Sequence, residues 1–328
     1  MTKHHKTDLK GKSFLITGGA GFIGSHIVDY MISNGAIVRV LDDLSNGYYV
    51  NIEHHVGNPN FEFVEGDIRD IDTCDKAVLG MQYVCHQAAL GSVPRSIETP
   101  LVTNAVNISG FLNMLDAARR CDSVSRFVYA ASSSTFGDDP RLPKVEGNEG
   151  SPLSPYAVTK AVNEYYADVY SKVYGFHSVG LRYFNIFGPR QNPDNPYAAV
   201  IPIFCKAFLD GVPPTINGDG ITSRDFTYVE NAVQANILAL LSETIEKSEV
   251  FNVACNAQVS LNDMVSVLGE ISGNSMTANY AAERAGDVKH SMASIAKIES
   301  ALDYKPEVQF RDGLEKVYQW YKKYYNIE

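Results

Sequence analysis

Gly18-Gly19-Ala20-Gly21-Phe22-Ile23-Gly24 is the stretch on which the fold turns. It follows a short apolar run at 13–17, which suits a buried parallel strand. It precedes a segment, 22–34, that places Ile23, Ile27, Tyr30 and Met31 at helical spacing, with Gly35 as a C-cap. Gly18, Gly21 and Gly24 recur every three residues along one edge of this strand-to-helix turn. A Cβ at such positions holds the backbone away from a pyrophosphate and crowds the helix against the strand. The helix start, here Phe22 and Ile23, offers free N–H groups and the positive end of a dipole to phosphate.

The next strand, 37–41, ends at Asp42-Asp43, with Asp42 18 residues beyond Gly24. A carboxylate at that distance bonds adenosine ribose hydroxyls and repels a 2′-phosphate, which selects NAD over NADP. Asp67-Ile68, after the strand at 61–65, is placed to flank the adenine. Strands at 83–86, 127–131 and 178–184 follow, with helices at 102–120 and 156–174 between them. This β-α rhythm predicts a Rossmann-like doubly wound parallel sheet, because parallel strands require long crossovers. Past Gly188 prolines interrupt the chain. Helices at 231–242, 261–272 and 311–325 and strands at 215–217 and 251–253 suggest a smaller α/β substrate-binding portion. The expected division is 1–187 for the NAD-binding domain, to which 224–247 returns, and 188–223 with 248–328 for the substrate domain.

The 328 residues carry a net charge of −10 and are 45% hydrophobic, as in an ordinary globular protein. The acidity argues against a sequence-independent grip on nucleic acid. No apolar run is long enough for a membrane span, and the polar start at 1–12 carries no signal-peptide core. Five scattered cysteines form no C-x-x-C pair, so neither a disulfide framework nor a metal site is expected, and a cytoplasmic location fits.

Tyr156 and Lys160 stand at i and i+4 just after Ser154-Pro155, on one face of a helix that starts there. Lowering a tyrosine from its ordinary pKa of about 10 to near neutrality requires roughly 4 kcal/mol. One cation about 4 Å away, at an effective dielectric near 20, supplies about that much. Ser132-Ser133-Ser134 ends the strand at 127–131, where strand C-termini face the ligand crevice. A hydroxyl there can bond the reacting hydroxyl and assist proton transfer to Tyr156.

The glycine triplet, the serine cluster and Tyr156/Lys160 together resemble the extended short-chain dehydrogenase/reductase superfamily, over nearly the whole chain. Further strings resemble its nucleotide-sugar 4-epimerases: His86-Gln87-Ala88-Ala89, Asn107-Ile108-Ser109-Gly110, Leu181-Arg182-Tyr183-Phe184-Asn185, Ser223-Arg224-Asp225-Phe226 and Arg284-Ala285-Gly286-Asp287. The resemblance implies Ser132, Tyr156 and Lys160 as catalytic residues. It implies Ala88, Ala89, Asn107 and Tyr183 in the cofactor shell, Asn185 on the substrate diphosphate, and Arg224 and Arg284 as its clamp. Thr215 and Asn217 then fall where uracil is contacted, and Ser92, Ser133, Ser134 and Gln191 along the sugar. The implied reaction removes the 4-hydroxyl proton to Tyr156 and the C4 hydride to NAD. The 4-keto sugar turns over and is reduced on its other face.

Nucleotide-sugar dehydratases of the superfamily carry an Asp-Glu pair where this chain has Ser133-Ser134, which disfavours dehydration. A non-enzymatic NAD-sensing role is disfavoured by the complete Ser132, Tyr156 and Lys160 set. Ser291 matches a gatekeeper position where a small residue leaves room for an N-acetyl group. With the strings at 90–96 and 188–191, it suggests UDP-GlcNAc and UDP-GalNAc as substrates, with UDP-Glc/UDP-Gal as the alternative. The resemblance also implies a homodimer through helices near 102–120 and 156–174.

Overall fold

The computed structural model describes residues 7–192, 199–283 and 289–327. Strand β1 (Ser13–Thr17) is buried along its full length, as its unbroken apolar run requires. Helix α1 (Phe22–Ser33) ends at Asn34, and Gly35 follows with φ +81. Then come β2 (Ile37–Asp42), β3 (Phe61–Glu65), α2 (Ile71–Val78), β4 (Tyr83–His86), α3 (Val93–Glu98) and α4 (Pro100–Asn104). The helix expected over 102–120 is interrupted: α4 passes through a π-helical turn, Ala105–Gly110, into α5 (Phe111–Arg120). Such turns insert one extra residue and re-aim the side chains on it, here Asn107. Strand β5 (Arg126–Ser132) leads to α6 (Pro155–Tyr174) and β6 (Ser178–Tyr183). Helix α6 starts because Pro155 sits at its first turn and Ser154 Oγ accepts the Ala157 N–H at 3.1 Å. It stops at Gly175, which adopts the left-handed conformation.

The remainder comprises β7 (Ile186–Phe187), α7 (Val200–Leu209), β8 (Thr215–Asn217), β9 (Ser223–Arg224), β10 (Thr227–Tyr228), α8 (Val229–Leu241), β11 (Glu249–Val253), β12 (Val259–Ser260), α9 (Leu261–Ser272), β13 (Asn279–Ala281), α10 (Ala296–Leu302) and α11 (Phe310–Tyr324).

Seven strands form one sheet in the order β11-β6-β5-β4-β1-β2-β3, and every pairing is parallel. The order reverses between β1 and β4, which opens a crevice at their C-terminal ends. This is the expected Rossmann-like fold, extended by one strand. Strand β11 was read from sequence with the smaller portion. It is instead hydrogen-bonded to β6 over five residue pairs, from Glu249 opposite Val179 to Val253 opposite Tyr183. Its apolar pattern identifies a strand but not the neighbour that satisfies its backbone groups.

Apolar residues of α1, α8 and α10 pack on one face of the sheet, and those of α2, α5 and α6 on the other. A separate core joins α7, α9 and α11. Among the described residues no helix is long and apolar enough to cross a membrane.

Candidate active site

The glycine loop lies at the mouth of the crevice, and its geometry explains each glycine of the triplet. Gly18 has φ +67, and a Cβ there would come within 2.6 Å of the Ala88 nitrogen. A Cβ on Gly24 would stand 2.2 Å from the Gly18 carbonyl oxygen, so α1 could not close on β1. Gly21 is the N-cap of α1, with no side-chain cap. The Ser25 N–H bonds Gly21 O at 3.0 Å, and the amides ahead of it belong to Phe22, Ile23 and Gly24, all of which line the cleft. This turn carries no acidic residue, so nothing on the helix competes with an anion. Beneath the loop, Thr17 Oγ1 lies 2.8 Å from His86 Nδ1 and accepts the Ala88 N–H at 3.3 Å, which ties β1 to β4 at the switch point. Burial, with the nearby Lys160 charge, pushes the His86 pKa down to about 3 and keeps the ring neutral.

Asp42 ends β2 inside the same cleft. Its carboxylate accepts the Ala20 N–H at 2.9 Å through Oδ2 and the Leu44 N–H at 2.9 Å through Oδ1, so it also braces the glycine loop. Burial raises its pKa, and these two donors work in the opposite direction. Each oxygen retains a lone pair for a further donor. Asp43 and Ile68 line the cleft as well, and the Asp43 carboxylate accepts both the N–H (3.0 Å) and the hydroxyl (2.6 Å) of Ser45. Asp67, expected to flank the adenine, stands between Gly66 and Ile68, which both line the cleft. Its carboxylate is taken up by Arg69, through Nε at 2.7 Å and Nη2 at 2.5 Å, and this pairing holds its pKa low.

At the far end of the cleft, Ser132, Tyr156 and Lys160 converge from β5 and α6. Ser132 Oγ accepts the Ser134 N–H at 3.1 Å, and the Ser132 hydroxyl lowers the Tyr156 pKa against the effect of burial. Lys160 Nζ donates to Ala130 O at 2.7 Å and lies 5.9 Å from the centre of the Tyr156 ring. Burial dominates both groups: it raises the Tyr156 pKa and lowers that of Lys160 to about 8. A full cation about 4 Å from the phenol, at an effective dielectric near 20, would supply roughly 4 kcal/mol. Burial opposes that stabilisation, and the Tyr156 pKa stands above its ordinary value. The ammonium alone therefore does not bring Tyr156 to neutrality.

Asn107, on the π-helical turn, joins the two walls. Its Oδ1 accepts the Leu90 N–H at 2.8 Å, and its Nδ2 donates to Leu90 O (3.1 Å) and Thr159 Oγ1 (3.2 Å). Tyr183 closes the cleft from β6 and belongs to a ring of hydrogen bonds absent from the sequence reading. Its hydroxyl donates to Gln87 Oε1 at 3.0 Å, Gln87 Nε2 donates to Asn236 Oδ1 at 3.1 Å, and Asn236 Nδ2 donates back to Tyr183 at 2.7 Å. Asn236 comes from α8, so only the folded chain brings it here.

Ala88 and Ala89, expected in the cofactor shell, line this cleft, and the expected substrate residues that the structure describes lie outside its lining. Ser92 caps α3 by accepting the Arg95 N–H at 3.2 Å. Ser133 and Ser134 form the 3-10 turn that follows Ser132. Asn185, at φ +40, donates through Nδ2 to Asp225 O at 3.0 Å. Gln191 uses both ends of its amide on its own loop, with Gly188 N–H and Ile186 O. Thr215 and Asn217 sit on β8, paired in parallel with β13. Ser291 N–H bonds Ser223 O at 3.1 Å, and Arg224 Nη1 donates to Ser223 O (2.9 Å) and Lys289 O (3.2 Å). Residues 65 and 68 positions apart thus form one seam, braced by buried Asp225, which accepts the Cys255 and Ala293 amides at 2.9 and 3.2 Å. Arg284 lies outside the described residues.

Ser45, Asn46, Gly47, Gln87, Leu90 and Gly91 also line the cleft, and no site role is assigned to them above. A signal existed for the first three, which directly follow the acidic pair in a polar loop. Gly47 fits tightly, since a Cβ there would stand 3.0 Å from both Asp42 oxygens.

Residues 14–254 match the NAD dependent epimerase/dehydratase family. A putative UDP-glucose 4-epimerase of Methanocaldococcus jannaschii is 38% identical over 310 residues, covering 94% of this chain and 98% of that protein. The structure of a UDP-N-acetylglucosamine 4-epimerase from Methanobrevibacter ruminantium M1, in complex with UDP-N-acetylmuramic acid, superposes with a TM-score of 0.91 at 38% identity. It covers 96% of this chain and 99% of its own. A UDP-glucuronic acid 4-epimerase from Bacillus cereus, in complex with UDP-glucuronic acid and NAD, has a TM-score of 0.88 at 33% identity, covering 95% and 100%. The chain belongs to the NAD dependent epimerase/dehydratase family.

Proposed function

We propose that this chain is an NAD-dependent 4-epimerase of UDP sugars that interconverts UDP-GlcNAc and UDP-GalNAc. The observation that carries the reading is the meeting of Ser132, Tyr156 and Lys160 at one end of a cleft whose other end is the glycine loop. The cradle fits a dinucleotide: side chains at Gly18 and Gly24 would strike the backbone that shapes it, and the α1 amides face it without a competing carboxylate. Gly18, Gly21, Phe22, Ile23 and Gly24 would hold the pyrophosphate, and Asp42 with Asp43 the adenosine ribose. Ile68, Ala88, Ala89 and Tyr183 would form its walls. Asp42 also disfavours a 2′-phosphate. When bound, NAD supplies the reversible oxidation of the sugar at C4.

The protein's own part is proton transfer. Tyr156 Oη takes the proton of the 4-hydroxyl with Ser132 Oγ beside it, and returns it to the C4 oxygen, which re-forms the carbinol with inverted configuration. Lys160 stabilises the phenolate between these events. No carboxylate at 133–134 is available to protonate a leaving hydroxyl, which supports epimerisation over dehydration. Arg224 and Arg284 would hold the diphosphate, a task suited to a planar, permanently charged fork. The preference for N-acetylated sugars rests on Ser291, whose small side chain leaves room at C2. Interconversion of UDP-Glc and UDP-Gal is the second reading, favoured by the name of the M. jannaschii relative.

The α6 face bearing Val158, Tyr165, Val169 and Val173 is exposed and apolar beside exposed Leu101 of α4, which supports a homodimer built on these helices. The unpaired cysteines support a reducing, cytoplasmic setting.

The test is to incubate the purified protein, without added NAD, with each of the four UDP sugars and separate the products. Rapid approach to a GlcNAc/GalNAc mixture supports the proposal. Faster equilibration of the plain pair overturns the preference, and a 4-keto-6-deoxy product overturns epimerisation.

A further inference from the structure

On the outer side of α1, away from the cleft, three side chains converge that the sequence reading left unconnected. Asp29 lies on α1, and His54 and His55 lie on the short turn Glu53–His55. Both imidazoles reach the same carboxylate oxygen: Asp29 Oδ1 is 2.9 Å from His54 Nε2 and 2.7 Å from His55 Nε2. The two rings lie 4.1 Å apart. The other oxygen, Oδ2, receives Arg190 Nη2 at 2.7 Å. Asp29 and His55 are mostly enclosed, whereas the His54 side chain is 48% exposed.

We propose that Asp29, His54 and His55 form a binding site for a divalent cation of borderline softness, Zn²⁺ or Co²⁺. Two imidazole nitrogens and one carboxylate oxygen are donors that such ions accept at about 2.0–2.2 Å. All three donor atoms lie within 4.8 Å of one another. Tetrahedral bonds of that length put ligand atoms on the order of 3.3 Å apart, so the cluster needs to open by about half an ångström. Exposed His54 can move by that much, and its open side leaves the fourth position to water. On binding, each Nε2 exchanges its hydrogen bond to Asp29 for a bond to the metal, the ring proton residing on Nδ1. Arg190 stays on Oδ2, where it orients the carboxylate. It also places a positive charge beside the ion, so guanidinium and metal share one carboxylate. Arg190 anchors the segment that carries Gln191, and His26 Nε2 at 3.1 Å from Pro189 O fastens it to the same helix.

The test uses full-length protein in which His4 and His5, the other adjacent histidine pair, are replaced by serine, and which has been stripped with a chelator. Co²⁺ is titrated while the visible ligand-field bands are followed, and Zn²⁺ binding is measured by calorimetry, with circular dichroism to check folding. The expected result is one equivalent bound with intense bands. Binding should weaken at least tenfold in His54→Ala and in His55→Ala, and tighten at least tenfold in Arg190→Gln. Absence of bands in the parent, or equal bands in the two alanine variants, overturns the site. Unchanged affinity in Arg190→Gln overturns the placement of the ion on Asp29.

Discussion

Replacing Lys160 by methionine separates the two effects that act on this side chain. Its ammonium lies 5.9 Å from the Tyr156 ring centre. Taking that distance as the charge separation, loss of the charge removes about 3 kcal/mol of phenolate stabilisation at an effective dielectric near 20, a factor of about a hundred in the availability of the base. Turnover of the UDP sugar at pH 7.5 should fall by at least that factor, and its rising limb should move to higher pH. Stability should respond in the opposite sense. The folded Lys160 pKa is about 8 against an ordinary 10.5, so the buried ammonium is disfavoured. The unfolded chain holds this proton between about pH 8 and 10.5 and the folded chain does not, so wild-type stability rises with pH across that window. Below pH 8 the burial costs on the order of 3 kcal/mol, partly offset by the bond to Ala130 O. Methionine keeps the apolar stem without the charge, so the variant should unfold no earlier than wild type in urea at pH 7 and should lack that rise. Turnover within threefold of wild type, or a lower urea midpoint at pH 7, would refute the electrostatic account of the pair.

Tyr156→Phe should retain cofactor and abolish turnover; NAD content measured after denaturing the purified protein separates the two readouts. Gly24→Ala drives a Cβ into the Gly18 carbonyl and should lower stability by about 1–3 kcal/mol, with NAD no longer raising the melting temperature. Asp42→Asn turns an amide N–H₂ toward one of two backbone N–H donors and should cost about 1–3 kcal/mol, read from the urea midpoint. Asn236→Leu opens the ring that holds Tyr183 and Gln87 and should likewise destabilise by about 1–3 kcal/mol, again by urea unfolding. Ser291→Tyr should slow the N-acetylated sugars at least tenfold while sparing UDP-Glc, measured by separating the products.

Elements whose chemistry is local are legible in the residues alone. The glycine triplet, the apolar strands around it and the Tyr156–Lys160 spacing depend on backbone sterics and on a period of 2 or 3.6 residues, which neighbouring positions reveal. For that reason Ser13–Thr17, Phe61–Glu65 and Tyr83–His86 have the expected bounds, and the sheet follows from their alternation with helices. The tertiary structure alone decided which distant partners satisfy each buried group. Strand β11 could have paired elsewhere until β6 offered its free edge. Asp67 met Arg69, and Asn236 closed the ring on Tyr183. Asp29 gathered two histidines and an arginine from separate segments. The protonation of Tyr156 and Lys160 belongs to the same class. Their i, i+4 spacing is legible in the sequence, but the desolvation that raises one pKa and lowers the other depends on the atoms that close around both.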